Sequence, residues 1–537
     1  MLLRGTVITS VPTLVSRVLG FARDLLVARL LGASLFADIF FVAFRIPNLL
    51  RSFLAEGALT SAFVPVFSSS LSRGHNEAQR TFQRVGGFLL YITIPLSVLG
   101  IVFAPEVVRI LAPGFASDPE KFALCVLLTQ IMLPYIACVS FIAMINSALN
   151  TLQIFGASAW AQVIMNLVLI AGALCAMPFN PRTATIVLAI SVIIGGIIQI
   201  ISQFPACSRA RLPLAPSFRI LSKDVAEVVR LMVPATIGAS VYQLTIFLAT
   251  VLASTLPEGS VSWLFYADRI AQFPIGIFSI ALASVLLPAL SQASASEDKA
   301  LFTTNLSNSL RYTNFVIIPM AAGLWALSLP ITQLLFERGA FTAYSSLQTS
   351  RALQALSIGL WASSCYSMVV RAFIARKDTM TPTLIGLFSL GISLLASLLL
   401  MGPISQSNGA IITGLTLLQS RLHSVTGWQW SLGHVGLALS SSVAAVASFL
   451  MLLAVFARRH GNFPWHSFVR SAVRSLIASL CMMTAIRLLA GLSASPLLVT
   501  SIGVVIGAAV YVMACYILRS TELREALALI NKRYRRS

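Results

Sequence analysis

Apolar runs of about 20 residues, separated by short polar connections, recur along the whole of this 537-residue chain. A helix needs roughly 20 consecutive apolar residues to cross the hydrocarbon of a bilayer. Runs of that kind fall at 7–31, 36–67, 85–111, 122–148, 159–177, 186–204, 232–255, 263–290, 312–336, 347–373, 384–401, 435–456, 469–490 and 497–518. The pattern predicts an all-α integral membrane protein with about 14 transmembrane helices. Two stretches break it. Residues 402–433 form a long polar connection whose apolar part, 411–418, is too short to span. Residues 521–537 read as a basic amphipathic helix drawn to anionic lipid at the inner surface.

Composition agrees with the pattern. The chain is 57% hydrophobic and 10% charged, against about 25% charged in soluble domains. The formal charge of +20 forms no basic soluble domain, so nucleic acid is not an expected partner. It follows the loops instead. Every second connection is rich in base, as in Arg73, Arg80 and Arg84, then Arg209, Arg211, Arg219, Lys223 and Arg230, then Arg376 and Lys377, then Arg458 and Arg459. The alternate connections are short and poor in base, which puts both termini on the cytoplasmic side. The seven cysteines are scattered without a C-x-x-C pair and read as small buried hydrophobes; the five histidines have no metal spacing. No metal and no cofactor is expected. The first apolar run is too long and too charged for a cleavable signal peptide.

The chain also repeats itself. Phe41-x-Ala43-x-Arg45-Ile46 recurs as Phe265-x-Ala267-x-Arg269-Ile270, 224 residues later, and Ile94-Pro95 recurs as Ile318-Pro319 at the same offset. Val11-Pro12 and Val233-Pro234 follow at a nearly equal spacing. The expected architecture is two six-helix lobes in a parallel pseudo-twofold repeat plus two C-terminal helices, with a transport site near mid-membrane. In order, this gives an N-terminal lobe at 1–208, a basic cytoplasmic linker at 209–231 and the first part of a C-terminal lobe at 232–402. An outer loop at 403–434, the last lobe helix at 435–457, two extra helices at 458–518 and a basic tail at 519–537 complete the chain.

The first two runs carry charges in the wrong solvent: Arg17, Arg23, Asp24, Arg29, Asp38, Arg45, Arg51 and Glu56. Each ionised group at mid-bilayer depth costs about 2.5–3.5 kcal/mol on insertion scales. Such groups persist where they line a wet cavity or bind a charged ligand, and the surplus of arginine points to an anion. In the second run, Asp38, Arg45 and Glu56 fall within about 20° of one helical line, with Asn48 and Arg51 beside it and a kink expected at Pro47. In the first, Arg17 and Asp24 share a face and Arg23 lies about 120° away. The eighth run adds Asp268-Arg269 ahead of Pro274, another expected kink. Arginine stays protonated and grips phosphate oxygens bidentately, so Arg17, Arg23, Arg51 and Arg269 can converge on a diphosphate. Asp24, Asp38, Glu56 and Asp268 would orient the guanidiniums or pair with them when the site is empty. The competing reading makes these charges structural ion pairs; it holds at least equally well for Glu56, and Arg45, on the Asp38 face, is open to both readings, as a site residue or as no more than the partner of Asp38. Arg4, Arg29 and Arg84 are expected to snorkel to the interface.

Several ordered motifs resemble the MviN/MurJ family. They are Ser16-Arg-Val-Leu-Gly-Phe-Ala-Arg-Asp24, Asp38-x-Phe-Phe-Val-Ala-Phe44, Pro47-Asn-Leu-Leu-Arg51 and Ala55-Glu-Gly57, followed by Ala112-Pro-Gly-Phe115, Ser260-Val-Ser-Trp263 and Tyr266-Ala-Asp-Arg269. The resemblance covers residues 5–401 and extends to the last spans by hydropathy. It implies a lipid II flippase of the multidrug/oligosaccharidyl-lipid/polysaccharide exporter superfamily in the bacterial inner membrane. Its substrate would be undecaprenyl-diphosphate-MurNAc-pentapeptide-GlcNAc, moved to the outer leaflet. It implies that Arg17, Arg23, Arg51 and Arg269 are essential, that Asp38 supports them, and that the last two helices line a groove for the polyprenyl tail. Membrane lipids and the peptidoglycan synthesis machinery are the implied partners. The chain departs from the family at three places. Gln272 replaces an acidic residue of some members, 232–255 lacks the carboxylate through which some bind sodium, and 403–434 is longer.

The expected mechanism is alternating access by rocking of the two halves. No Gly-x-x-x-x-Gly-Lys-[Ser/Thr] phosphate loop is present, so energy would come from the potential, an ion gradient or consumption of product. The alternatives are a cation-coupled multidrug exporter or an exporter of another lipid-linked oligosaccharide. A drug exporter should have an apolar cavity with lone carboxylates. An enzyme acting on polyprenyl phosphates would need a carboxylate cluster or an interfacial histidine, and the chain is not expected to be one.

Overall fold

The computed structural model describes residues 2–54, 58–217, 219, 222–404, 410–427, 431–460, 463–491 and 495–534. Helices account for all its regular elements there. Ten helical spans among these residues are long and apolar enough to cross a membrane. The helices α13 (Lys299–Ala326) and α14 (Ser328–Phe336), bent by 71° at the break between them, make an eleventh if the pair is counted as one span. The three other predicted spans are helical as well. They are α1 (Leu2–Leu31), α2 (Leu35–Leu54) followed by α3 (Ala58–Ser72), and α10 (Lys223–Ser254). The second predicted span is helical up to Leu54 and from Ala58 on, and Glu56 lies outside the described residues.

The chain divides into two compact units. The first holds Met1–Ser262 with the short segments Arg338–Thr342 and Ser405–Gly414. Besides α1, α2, α3 and α10 it contains α4 (His75–Val102), α5 (Ala104–Leu111), α6 (Pro119–Met132), α7 (Tyr135–Thr151), α8 (Phe155–Ala176) and α9 (Pro181–Arg209). Polar residues start these helices by accepting the first-turn N–H groups that no carbonyl can reach. Asp118 does so for Glu120 and Lys121, Asn180 for Thr183 and Ser222 for Val225. The unit buries an apolar cluster built from Leu59, Phe63 and Phe67 of α3, Phe82 and Leu89 of α4, Met144 and Leu149 of α7, and Val225 and Val228 of α10. Gly114 sits where an added Cβ would meet the Ser254 carbonyl, so the turn after α5 packs backbone to backbone against the end of α10.

The second unit holds Trp263–Glu337, Ala343–Ile404 and Leu415–Ser537. Helix α11 (Ser260–Pro274) begins in the first unit and ends in this one. At the predicted kink after Pro274, residues Ile275–Ser279 form a π-helical turn before α12 (Ile280–Ala295). After α13 and α14 come α15 (Ala343–Ala375), α16 (Met380–Leu400), α17 (Ala410–Thr426), α18 (His434–His460), α19 (Trp465–Ala490), α20 (Pro496–Ile517) and α21 (Thr521–Tyr534). Its core is aromatic, with Phe302, Phe373, Phe449, Phe456 and Phe468 buried together. Trp361 donates to Asn314 at 2.6 Å, and Asn314 donates to the Phe468 carbonyl at 3.3 Å. The outer faces of the spans stay apolar. Ile194, Ile197, Ile201 and Phe204 of α9 and Leu384, Leu387 and Phe388 of α16 are exposed, a liability in water and a fit in lipid.

Helix α17 is a difference from the sequence pattern. The apolar segment 411–418 is indeed short, but the helix runs on through the polar residues to Thr426. It does so because Gln419 points inward and is fully bonded there.

Candidate functional site

In α1, the Arg23 guanidinium donates to Asp24 Oδ1 through Nη2 at 2.7 Å and through Nε at 3.0 Å. Its Nη1 donates to Asn166 Oδ1 in α8 at 3.1 Å. Asn166 in turn donates to the Ser16 carbonyl at 2.9 Å and to Ser16 Oγ at 3.2 Å. Asp24 and Asn166 are buried and Arg23 is partly exposed. A carboxylate and an amide thus hold one fork of the guanidinium at a fixed angle. This is the arrangement that fixes an arginine for bidentate work on an anion. Asn166 was not legible as a site residue: a lone uncharged amide in an apolar run gives hydropathy no signal. Arg17, on the same helix, is exposed.

Helix α2 runs continuously through Pro47. Arg51 donates from Nε to Asn48 Oδ1 at 2.9 Å, so the two residues expected to flank the polar line are directly bonded. Arg45 is half-buried, and Phe40 and Phe44 stack beside it on the helix with centroids 5.9 Å apart. Asp38 departs from its expected role of orienting arginines. It is buried, and its carboxylate accepts from Gly259 N at 2.7 Å, from Ser262 N at 2.8 Å and from the Ser262 hydroxyl. These donors are the first turn of α11, where backbone N–H groups lack helical partners and the helix end carries partial positive charge. Asp38 therefore serves as a cap supplied from another helix. The reason is chemical: an anion taken out of water is satisfied by three converging donors as well as by a counter-ion. Ser262 belongs to a motif quoted above, and it stands 224 residues after Asp38, the offset of the internal repeat.

Farther along α11, Asp268 is exposed and accepts from Gln272, one turn on. Gln272 is thus bonded to the carboxylate one turn before it. Arg269 is half-buried, with its guanidinium carbon 4.9 Å from the centroid of Phe265. Tyr266 is fully buried against Phe336, and Trp263 packs on His434 and Tyr344. In the Ala112-Pro-Gly-Phe115 motif, Lys121 Nζ lies 4.2 Å from the Phe115 centroid, a buried cation that the sequence reading passed over. Among the described residues, no group of three or more His, Cys, Asp or Glu could hold a metal ion.

On α1 and α2 the first unit thus carries Arg17, Arg23, Arg45 and Arg51, with Asp24 bonded to Arg23 and Asp38 bonded to Gly259 and Ser262.

Comparison with known proteins bears on what the chain does. A family model described as lipid II flippase MurJ matches residues 27–419. The lipid II flippase MurJ of Burkholderia cenocepacia is 34% identical over 486 residues, covering 90% of this chain and 89% of that protein. A probable lipid II flippase MurJ of Vibrio cholerae is 33% identical over 461 residues, covering 84% and 82%. A solved structure described as lipid II flippase MurJ in an inward closed conformation superposes with a TM-score of 0.76 at 27% identity, over 97% of this chain and 100% of that one. An inward-facing multidrug transporter of the MATE family reaches a TM-score of 0.65 at 14% identity, over 86% and 98%, and shares the fold alone.

Proposed function

The chain belongs to the MurJ family, and from that premise we propose that it flips lipid II across the bacterial inner membrane, holding the diphosphate through intramembrane arginines. Arg17, Arg23, Arg51 and Arg269 are the donors. Asp24 and Asn166 keep the Arg23 fork aimed, Asn48 does the same for Arg51, and Arg45 and Asp268 tune the local charge. Glu56 keeps a supporting role. Asp38 acts on the protein rather than on the substrate, by holding the first turn of α11. The observation that carries the reading is the Arg23 fork: a guanidinium inside a membrane helix, tied on one side and partly exposed.

Movement proceeds by alternating access. The diphosphate enters from the cytoplasmic side, the polyprenyl tail stays in lipid beside α19 and α20, and the cavity then reopens outward. An anion leaving an inside-negative cell runs with the potential, which supplies about 2.3 kcal/mol per charge per 100 mV. Both termini lie in the cytoplasm, as the loop charge indicates, and the enzymes that polymerise the exported precursor are the natural partners.

The test is the amount of lipid II exposed at the outer leaflet of cells depleted of their own flippase. This chain should restore it, and Arg23→Ala and Arg269→Ala at matched membrane expression should not. Failure of the parent chain despite correct insertion overturns the flippase reading. Full activity of both variants returns the arginines to structural ion pairing.

A further inference from the structure

Helix α17 has two unlike sides. Gln419 is buried, and its amide donates to the Leu398 carbonyl at 2.8 Å and the Gly402 carbonyl at 2.7 Å while accepting from Ile404 N at 3.2 Å. His423 Nε2 lies 3.3 Å from the same Leu398 oxygen. The last carbonyls of a helix have no partner within it, so these side chains cap the end of α16 and fix the rotation of α17. At about 100° per residue, Leu417, Leu418, Arg421 and Val425 then share an arc of about 100° on the opposite side. Leu417 is 60% exposed, Leu418 37% and Val425 85%. A Cβ added at Gly414, in the same arc, would meet nothing within 4 Å.

Three further facts say what covers this face. Helix α16 is a span, so a helix bonded to its last carbonyls lies at the bilayer surface. The connection 403–434 contains no Asp or Glu, and Arg421 stands in the middle of the apolar arc. Trp428 and Trp430 follow directly, and tryptophan is the residue of the membrane–water interface. A basic protein partner would call for carboxylates on this face, and the connection holds none.

We propose that α17 is an interfacial helix, lying in the membrane surface at the end of α16 with Leu417, Leu418 and Val425 among the acyl chains and Arg421 on anionic phospholipid headgroups. It thereby ties the joint between α16 and α18 to the bilayer. The inference rests on the chain being a membrane protein and is independent of what it transports.

Nitroxide labels at single cysteines test it in the full chain. Cys138, Cys175 and Cys481 would be replaced by Ala and the four buried cysteines left in place. Labels at positions 417, 418 and 425 are compared with labels at Thr413 and Ser420 on the flank, in vesicles of phosphatidylethanolamine and phosphatidylglycerol. The first three should collide with oxygen in preference to a water-soluble nickel chelate, by several-fold over the flank pair. Arg421→Glu should reduce that preference in these vesicles and not in vesicles of phosphatidylcholine alone. Nickel access at all five positions overturns the proposal by putting the face in water. Protection from both agents overturns it by showing a protein cover, such as a second copy of the chain. An unchanged signal in Arg421→Glu removes the headgroup contact.

Discussion

The two copies of the Phe-x-Ala-x-Arg-Ile motif occupy equivalent places on α2 and α11 and have taken complementary polar roles. Seven residues before its arginine, α2 carries an acceptor, Asp38; seven residues before its own, α11 carries a donor, Ser262. The two are bonded to each other, with the Gly259 and Ser262 backbone N–H groups adding to the pair. The residue just before the arginine differs as well: Phe44 in one copy and Asp268 in the other. A duplicated helix keeps its apolar register because lipid and core demand it. It diverges at polar positions, where each copy can meet a different partner.

The largest effect should come from the arginines themselves. Arg269→Ala removes a cation that stands on Phe265, and Arg45→Ala removes the arginine of the other copy. Loss of charge-assisted bonds to a phosphate, about 1.5–3 kcal/mol, predicts at least a roughly tenfold fall in lipid II export for Arg269→Ala. Arg45→Ala should fall less at matched expression. Equal losses would mean that both copies contact substrate, and the contrast between them would collapse.

Next in size is Asp38→Ala. It leaves the three donors at the start of α11 without their acceptor in a buried place, which costs about 1–3 kcal/mol. The melting temperature of the purified protein should drop by several degrees. Ser262→Ala removes only the hydroxyl donor and should cost about 1 kcal/mol. The double variant should be no worse than Asp38→Ala alone, because the hydroxyl has nothing left to bond. Additive losses would show that Ser262 has another role.

How far the sequence could reveal this depended on what each contact is made of. The spans were legible because about 20 apolar residues in a row have one physical meaning, and the charged runs were legible because their cost in lipid demands a reason. The partners of Asp38 were not: backbone N–H groups belong to every residue but proline and leave no mark beyond the turn residues around Gly259. Asn166 and Gln419 escaped for a related reason. Each is one neutral amide, and only the fold shows that Asn166 holds Arg23 and that Gln419 caps α16. Helix α17 was read as a polar connection because Gln419 interrupts its apolar stripe at the point where the structure needs a polar group inside.

A last and smaller contrast lies at the other end of the second unit, where polar bonds join the apolar packing of Leu523. Glu522, at the start of α21, is buried and accepts from Arg311 Nε at 2.8 Å and from the Ser520 hydroxyl at 2.7 Å. Burial alone would raise its pKa, but the bonds from Ser520 and Arg311 outweigh that and hold it below the ordinary 4.5. A carboxyl whose pKa is lowered by folding stabilises the docked tail above its unfolded value, and that contribution is lost as pH falls through the folded value. The tail should therefore stay docked on α13 at neutral pH and loosen only below about 4.5. Limited proteolysis within α21 across that range measures it. Glu522→Gln should loosen the tail already at pH 7 and remove most of the acid dependence. If the variant still tightens and loosens with pH as the parent does, Glu525, whose carboxylate lies 3.6 Å from Arg311 and bonds Tyr312, carries the docking instead.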